Sequence, residues 1–259
     1  LKESELVTLH IAIAGKGGTG KTTFASITIK LMIKGGVSPV LAVDADPNAN
    51  LNEALGIEVE ETIGDILTKI KNDLTLPAGM TKDQYVEYKI HQSLAESDDF
   101  DLLSMGASEG PGCYCYANNV LRGYIDNLSR NYAAIVADNE AGLEHLSRRT
   151  TQNVDILFVT SDTSARGVRS AKRVKEIVQS LNLNIKKIFL VVTKVNENSI
   201  ETLQNEIDKT GLELIGAIPM DSNIVDYDLN SRPLVDLPCD SPAVAAVAKI
   251  LKKTGIIKE

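Results

Sequence analysis

The residues best suited to chemistry lie in two short stretches. The first is "GKGGTGKTT", Gly15 to Thr23, which fits G-x-x-x-x-G-K-[ST] from Gly15 to Thr22 and stands between an apolar run and a helical pattern. Gly15, Gly17, Gly18 and Gly20, with Thr19 among them, allow backbone N–H groups to approach phosphate oxygens, while Thr23 lies in the first turn of a helix whose positive end faces the anion. Lys21 is placed to reach the β and γ phosphates of a nucleotide, and the Thr22 hydroxyl to bind Mg²⁺. Lys16 is one lysine more than this chemistry needs, and within a single subunit it is only an exposed charge.

Carboxylates complete the site. Asp138 ends the run "AAIVAD", where a side chain at the C-terminal end of a strand faces the ligand crevice and can hold Mg²⁺ through water, since Mg²⁺ usually keeps several waters. "DADPNANL" supplies Asp44 and Asp46; a carboxylate here can orient the water that attacks the γ-phosphate, or it can cap the following helix. Capping suits Asp44 at least as well as catalysis does, and suits Asp46 less.

The second stretch, "SEGPGCYCYANN", places Cys113 and Cys115 two residues apart. In extended backbone both sulfurs project to one side and can reach one ion. Thiolates favour Zn²⁺, Cu(I), iron–sulfur clusters and, with suitable geometry, Ni²⁺. Two incidental thiols are the plainer reading of the motif alone. Cys239 is isolated and reads as a free or packed thiol. His10, His91 and His145 are scattered and read as structural.

The elements that must position these groups are short apolar runs separated by helical patterns. Strands are expected at residues 7–14, 40–44, 101–105, 133–138, 155–160, 187–193 and 212–219, with helices from the glycine loop to about 34, at 165–181 and at 199–209. This alternation implies an α/β fold, a mainly parallel central sheet flanked by helices on both faces. No linker or repeat divides the chain, so residues 1–259 are expected to form one P-loop domain. The polar region at about 58–100 is expected to be a helical insertion, with Thr81 as an N-cap. The amphipathic C-terminal segment from Ser241 is expected to pack on the sheet rather than lie on a membrane.

Of the 259 residues 43% are apolar and 24% charged, enough for a sizeable core. A net charge of −8 and the absence of Trp argue against sequence-independent nucleic-acid binding, which needs concentrated Lys and Arg. No apolar run reaches the ~18 residues of a membrane span, and no leader pattern is seen, so a cytoplasmic location with neither a nucleic-acid nor a membrane partner is expected.

"KGGTGKTT", "DADPNANL" and "DNEAGLEHL" together resemble the deviant Walker A ATPases, the group of septum-positioning and plasmid-partition ATPases, the nitrogenase iron protein and several metal-centre maturation factors. The resemblance runs from the first strand to the last. It implies that the chain binds and hydrolyses ATP to ADP and that Lys16 crosses an ATP-dependent homodimer to the partner's nucleotide. It further implies that Asp46 is the switch carboxylate of hydrolysis and that Asp138 to Gly142 form the second switch. The family commonly has Asn where Thr193 stands, contacting the adenine amino group; Thr193 can make one hydrogen bond there, and Asp221 is a second candidate base contact.

Such a two-fold dimer would bring two C-x-C pairs around one ion, completing a four-thiolate site. The nitrogenase iron protein carries a cysteine in its second switch, which "DNEAGLEHL" lacks. The pattern instead resembles the CooC-type ATPases and their AcsF-type relatives. That resemblance implies an ATP-dependent metallochaperone that binds Ni²⁺, or Zn²⁺ in vitro, and serves carbon monoxide dehydrogenase or acetyl-CoA synthase. The alternatives are a MinD/ParA-like ATPase acting at membrane or DNA, and an iron–sulfur ATP-dependent reductase.

Overall fold

The computed structural model describes residues 8–72, 76–107, 123–125, 127–140, 153–181 and 183–258. Each expected apolar run forms a strand: β1 (Leu9–Gly15), β2 (Val40–Ala45), β4 (Phe100–Ser104), β5 (Ala134–Asn139), β6 (Asn153–Ser161), β7 (Asn184–Val195) and β8 (Glu213–Pro219). The two-residue β3 (Ala95–Glu96), too short to show a period, adds an edge. The sheet order is β3-β4-β2-β5-β1-β6-β7-β8. Neighbours run parallel except β3 and β4. Strand β1 lies between β5 and β6, and sequence order departs from it in both directions, so its C-terminal end opens the crevice where ligands bind in such sheets.

Alternate residues along the strands feed opposite faces. Ile11, Ile13, Ala42, Val136 and Phe158 pack against α1 (Lys21–Lys34), α2 (Leu51–Leu55) and the C-terminal α8 (Pro242–Thr254). On the other face, Leu41, Val43, Ile135 and Ala137 lie under α3 (Ile63–Asn72) and α4 (Lys82–Gln92). Beside them Ala12, Ala14, Leu157, Val159 and Val192 lie under α5 (Ala165–Ser180) and α6 (Ser199–Asp208). The third and fourth positions of β1, Ile11 and Ala12, therefore face two different helical layers, as a side-chain period of two requires.

Local chemistry sets the helix ends. Thr81 caps α4 in a reciprocal box: its hydroxyl accepts from Gln84 N at 3.3 Å, and Gln84 Oε1 accepts from Thr81 N at 2.9 Å. Helix α8 buries Ala243, Val244, Val247, Ile250 and Leu251, so its apolar face is spent on the sheet, as expected. A short helix not singled out in the sequence, α7 (Ser222–Leu229), follows β8 and is capped by Asp221. Among the described residues no helix is long and apolar enough to cross a membrane.

Candidate functional site: a phosphate loop at the end of β1

The glycine loop connects β1 to α1. Gly15 has no room for a side chain, because a Cβ there would stand 2.4 Å from Thr160 Oγ1 on the adjacent β6. Gly20, at φ 73°, turns the chain into α1 in a left-handed conformation that glycine adopts without strain. No side chain caps α1, so the N–H groups of its first turn stay open to an anion, the arrangement a phosphate requires.

The loop is braced from behind. Thr19 is buried; its hydroxyl donates to Lys16 O at 2.7 Å and lies 2.8 Å from Thr160 Oγ1. Thr193 donates to Thr19 O at 2.9 Å, and Lys194 Nζ to Gly18 O at 2.8 Å. Thr160 and Lys194 carry no motif and were not visible as site residues in the sequence; only adjacency of β1, β6 and β7 brings them here. Lys21 is buried at the base of the loop, whereas Lys16, Gly17 and Gly18 form its exposed rim.

Three polar side chains cross the sheet in one row. Asp44 of β2 is in register with Ser104 of β4 on one side and Asp138 of β5 on the other, so all three share the face that carries α1. Thr22 of α1 donates to Asp138 Oδ2 at 2.5 Å, while Asp138 Oδ1 is buried with no hydrogen-bond partner among the described residues. Burial pushes the Asp138 carboxyl up to about 7, against the opposing pull of the Thr22 hydrogen bond. An orphaned carboxylate oxygen next to a hydroxyl is a hard-oxygen donor set, and these residues fit Mg²⁺.

Asp44 and Asp46 differ in surroundings. Asp44 is fully buried and accepts from Leu51 N at 2.8 Å and Asp46 N at 3.1 Å, which makes it an anchor for the start of α2. Burial raises its carboxyl to about 6 despite those bonds. Asp46 is more open; its Oδ1 accepts from Asn48 N and Nδ2, each at 2.9 Å, and it borders the same cleft as Lys21 and Thr22.

That cleft, of about 1410 Å³, runs from the loop past Asp46 to Pro219, Met220, Asp221 and Tyr227. Both base-contact candidates border it. Thr193 is buried and its hydroxyl stands within donating distance of Thr19 O at 2.9 Å and Ser161 O at 3.2 Å, leaving its lone pairs to accept from an amino group. The Asp221 carboxylate already accepts from Asn223 N and Nδ2 and from Ser241 Oγ and Ala243 N, tying the start of α7 to the start of α8. Burial alone would raise its pKa, but these four bonds outweigh that and lower it.

Cys113, Cys115, His145 and Gly142 lie outside the described residues. Among the described residues no group of three or more His, Cys, Asp or Glu is placed to hold a metal ion. Cys239 is exposed and free, with Lys34 Nζ at 2.9 Å from its sulfur; that hydrogen bond lowers the thiol pKa. His91 packs edge-on against Tyr124.

Residues 10–234 match the family described as the CobQ/CobB/MinD/ParA nucleotide binding domain. An uncharacterized ATP-binding protein of Methanocaldococcus jannaschii is 47% identical over 246 residues, covering 94% of this chain and 97% of its own. The carbon monoxide dehydrogenase accessory protein CooC of Rhodospirillum rubrum is 28% identical over 262 residues, covering 95% and 98%. Among solved structures, the septum site-determining protein MinD of Pyrococcus horikoshii, complexed with Mg-ADP, is similar with a TM-score of 0.71, at 22% identity and covering 95% and 96%.

Proposed function

This chain belongs to the CobQ/CobB/MinD/ParA nucleotide-binding family of P-loop ATPases, and from that premise we propose that it is an ATP-driven maturation factor for a nickel enzyme. In this reading Lys21, the loop amides and the first turn of α1 hold the nucleotide phosphates, Thr22 and Asp138 hold Mg²⁺, and Asp46 orients the attacking water. The observation that carries the switch is the position of Lys16. Its side chain stands on the exposed rim of the loop, whereas Lys21 is buried, which leaves Lys16 accessible to a second subunit's nucleotide.

ATP then favours a closed dimer, and closure brings Cys113 and Cys115 of each subunit around one Ni²⁺ ion, the cargo. Hydrolysis loosens the interface and alters metal affinity. The coupling is reciprocal: if ATP tightens metal binding, metal tightens ATP binding by the same factor. The C-x-C spacing and the 28% likeness to a carbon monoxide dehydrogenase accessory protein support this client class, with carbon monoxide dehydrogenase or acetyl-CoA synthase as the enzyme served.

The test is nickel and zinc stoichiometry with and without ATP, in wild type and in Cys113→Ser/Cys115→Ser. Wild type should gain one ion per dimer with ATP and the variant none; equal binding by both removes the cysteine site. The MinD-like fold keeps a positioning or partition role as the second reading. Robust ATP-dependent co-sedimentation with liposomes or DNA would select it.

A further inference from the structure

Helix α5 concentrates cations on its outer side. Its sequence, "ARGVRSAKRVKEIVQS", holds five Lys and Arg and one Glu, in a chain whose net charge is −8. Arg166, Arg169 and Arg173 are three of the chain's eight arginines and all are exposed. At 3.6 residues per turn their spacing of three and four puts them within about 60° of arc, along about 10 Å of helix. Val168, Ala171, Val174 and Val178 occupy the buried side, so the arginines face directly away from the core.

Only part of this charge is met at home. Arg169 pairs with Glu206 of α6 at 3.2 Å, and Lys172 approaches Glu176 at 4.0 Å. Arg166 and Arg173 have no ion-pair partner among the described residues. The helix begins four residues after Ser161, at the end of β6, and the β6 residue Thr160 braces the phosphate loop through Thr19. The first turn of α5 therefore lies at the same end of the sheet as the phosphate loop.

We propose that the arginine stripe Arg166–Arg169–Arg173 docks an acidic helical segment of a partner protein, with carboxylates at the matching three- and four-residue spacing. Guanidinium groups pair with carboxylates bidentately, and three in register select spacing as well as sign. The surroundings favour discrete carboxylates over a polyanion. Glu176 and Glu206 flank the stripe, and the whole chain is acidic. Duplex DNA, carrying a charge every ~1.7 Å, would meet those carboxylates along its length. The proposal is independent of the metal reading, and either can fail without the other.

The experiment is fluorescence anisotropy of the full chain with a labelled helical peptide of about 18 residues bearing Glu at that spacing. A peptide of the same composition with scrambled Glu positions, a duplex DNA and anionic vesicles serve as competitors. Arg166→Glu/Arg173→Glu should weaken peptide binding by about tenfold or more. Lys71→Glu/Lys82→Glu, with the same change in net charge on another part of the surface, should change it by less than about threefold. Basal ATP hydrolysis should be unchanged in both, which shows that they fold. Absent binding by wild type, equal losses in the two variants, equal binding of the scrambled peptide, or displacement of the peptide by DNA or vesicles in preference would each overturn the proposal.

Discussion

Asp138 couples the site to pH. Its carboxyl is raised from 3.8 to about 7 by burial, so between those values the folded chain keeps a proton that the unfolded chain has released. The unfolding free energy must then fall as pH rises through that window and level off above it. Asp44, raised to about 6, adds to the same slope. Asp138→Asn should flatten this profile and stabilise the nucleotide-free protein at pH 8, read by thermal melts across pH. Mg²⁺ needs the ionised carboxylate, so Mg-ATP affinity of wild type should rise with pH to about 7 and then level. A flat affinity profile would count against Asp138 as a ligand. Asp221 belongs to the same scale but to the fold: Asp221→Ala leaves four donors without an acceptor. The expected cost is about 3 kcal/mol, a fall in Tm of roughly 6–12 °C.

The elements divide by how local their causes are. The loop between β1 and α1 could be read from its glycines and from Lys21, and the start of α4 from the spacing of Thr81 and Gln84, because both depend on a few neighbouring residues. Thr81→Ala should cost about 1 kcal/mol and raise hydrogen exchange in the first turn of α4 only. Helix α7 carries little apolar periodicity and exposes Val225 and Leu229; a cap at Asp221, shared with α8, defines it, and the sequence alone offers no sign of that sharing. The loop brace is equally non-local. Thr160 lies 141 residues from Thr19. Thr160→Val keeps the shape of the side chain and removes the hydroxyl. It should lower Tm by roughly 2–4 °C, the size of one lost buried hydrogen bond, and weaken nucleotide binding as the loop loses its brace; unchanged affinity would show that the loop holds its form without the brace.

For the whole molecule the decisive variant is Lys16→Ala. If Lys16 serves a second subunit, the variant should bind ATP with near wild-type affinity through Lys21 yet stay monomeric in light scattering with ATP. Lys21→Ala should lose ATP binding itself. Dimerisation of Lys16→Ala to the wild-type extent would sink the switch. By itself the sequence determined the parallel α/β class, the strand positions and the phosphate loop, since each follows from short-range periodicity or from a motif a few residues long. The tertiary structure alone decided which far-separated polar groups brace the loop from behind: Thr160 against Thr19, Thr193 against Thr19 O and Lys194 against Gly18 O. Strand order and register make those contacts, and neither can be read from spacing along the chain.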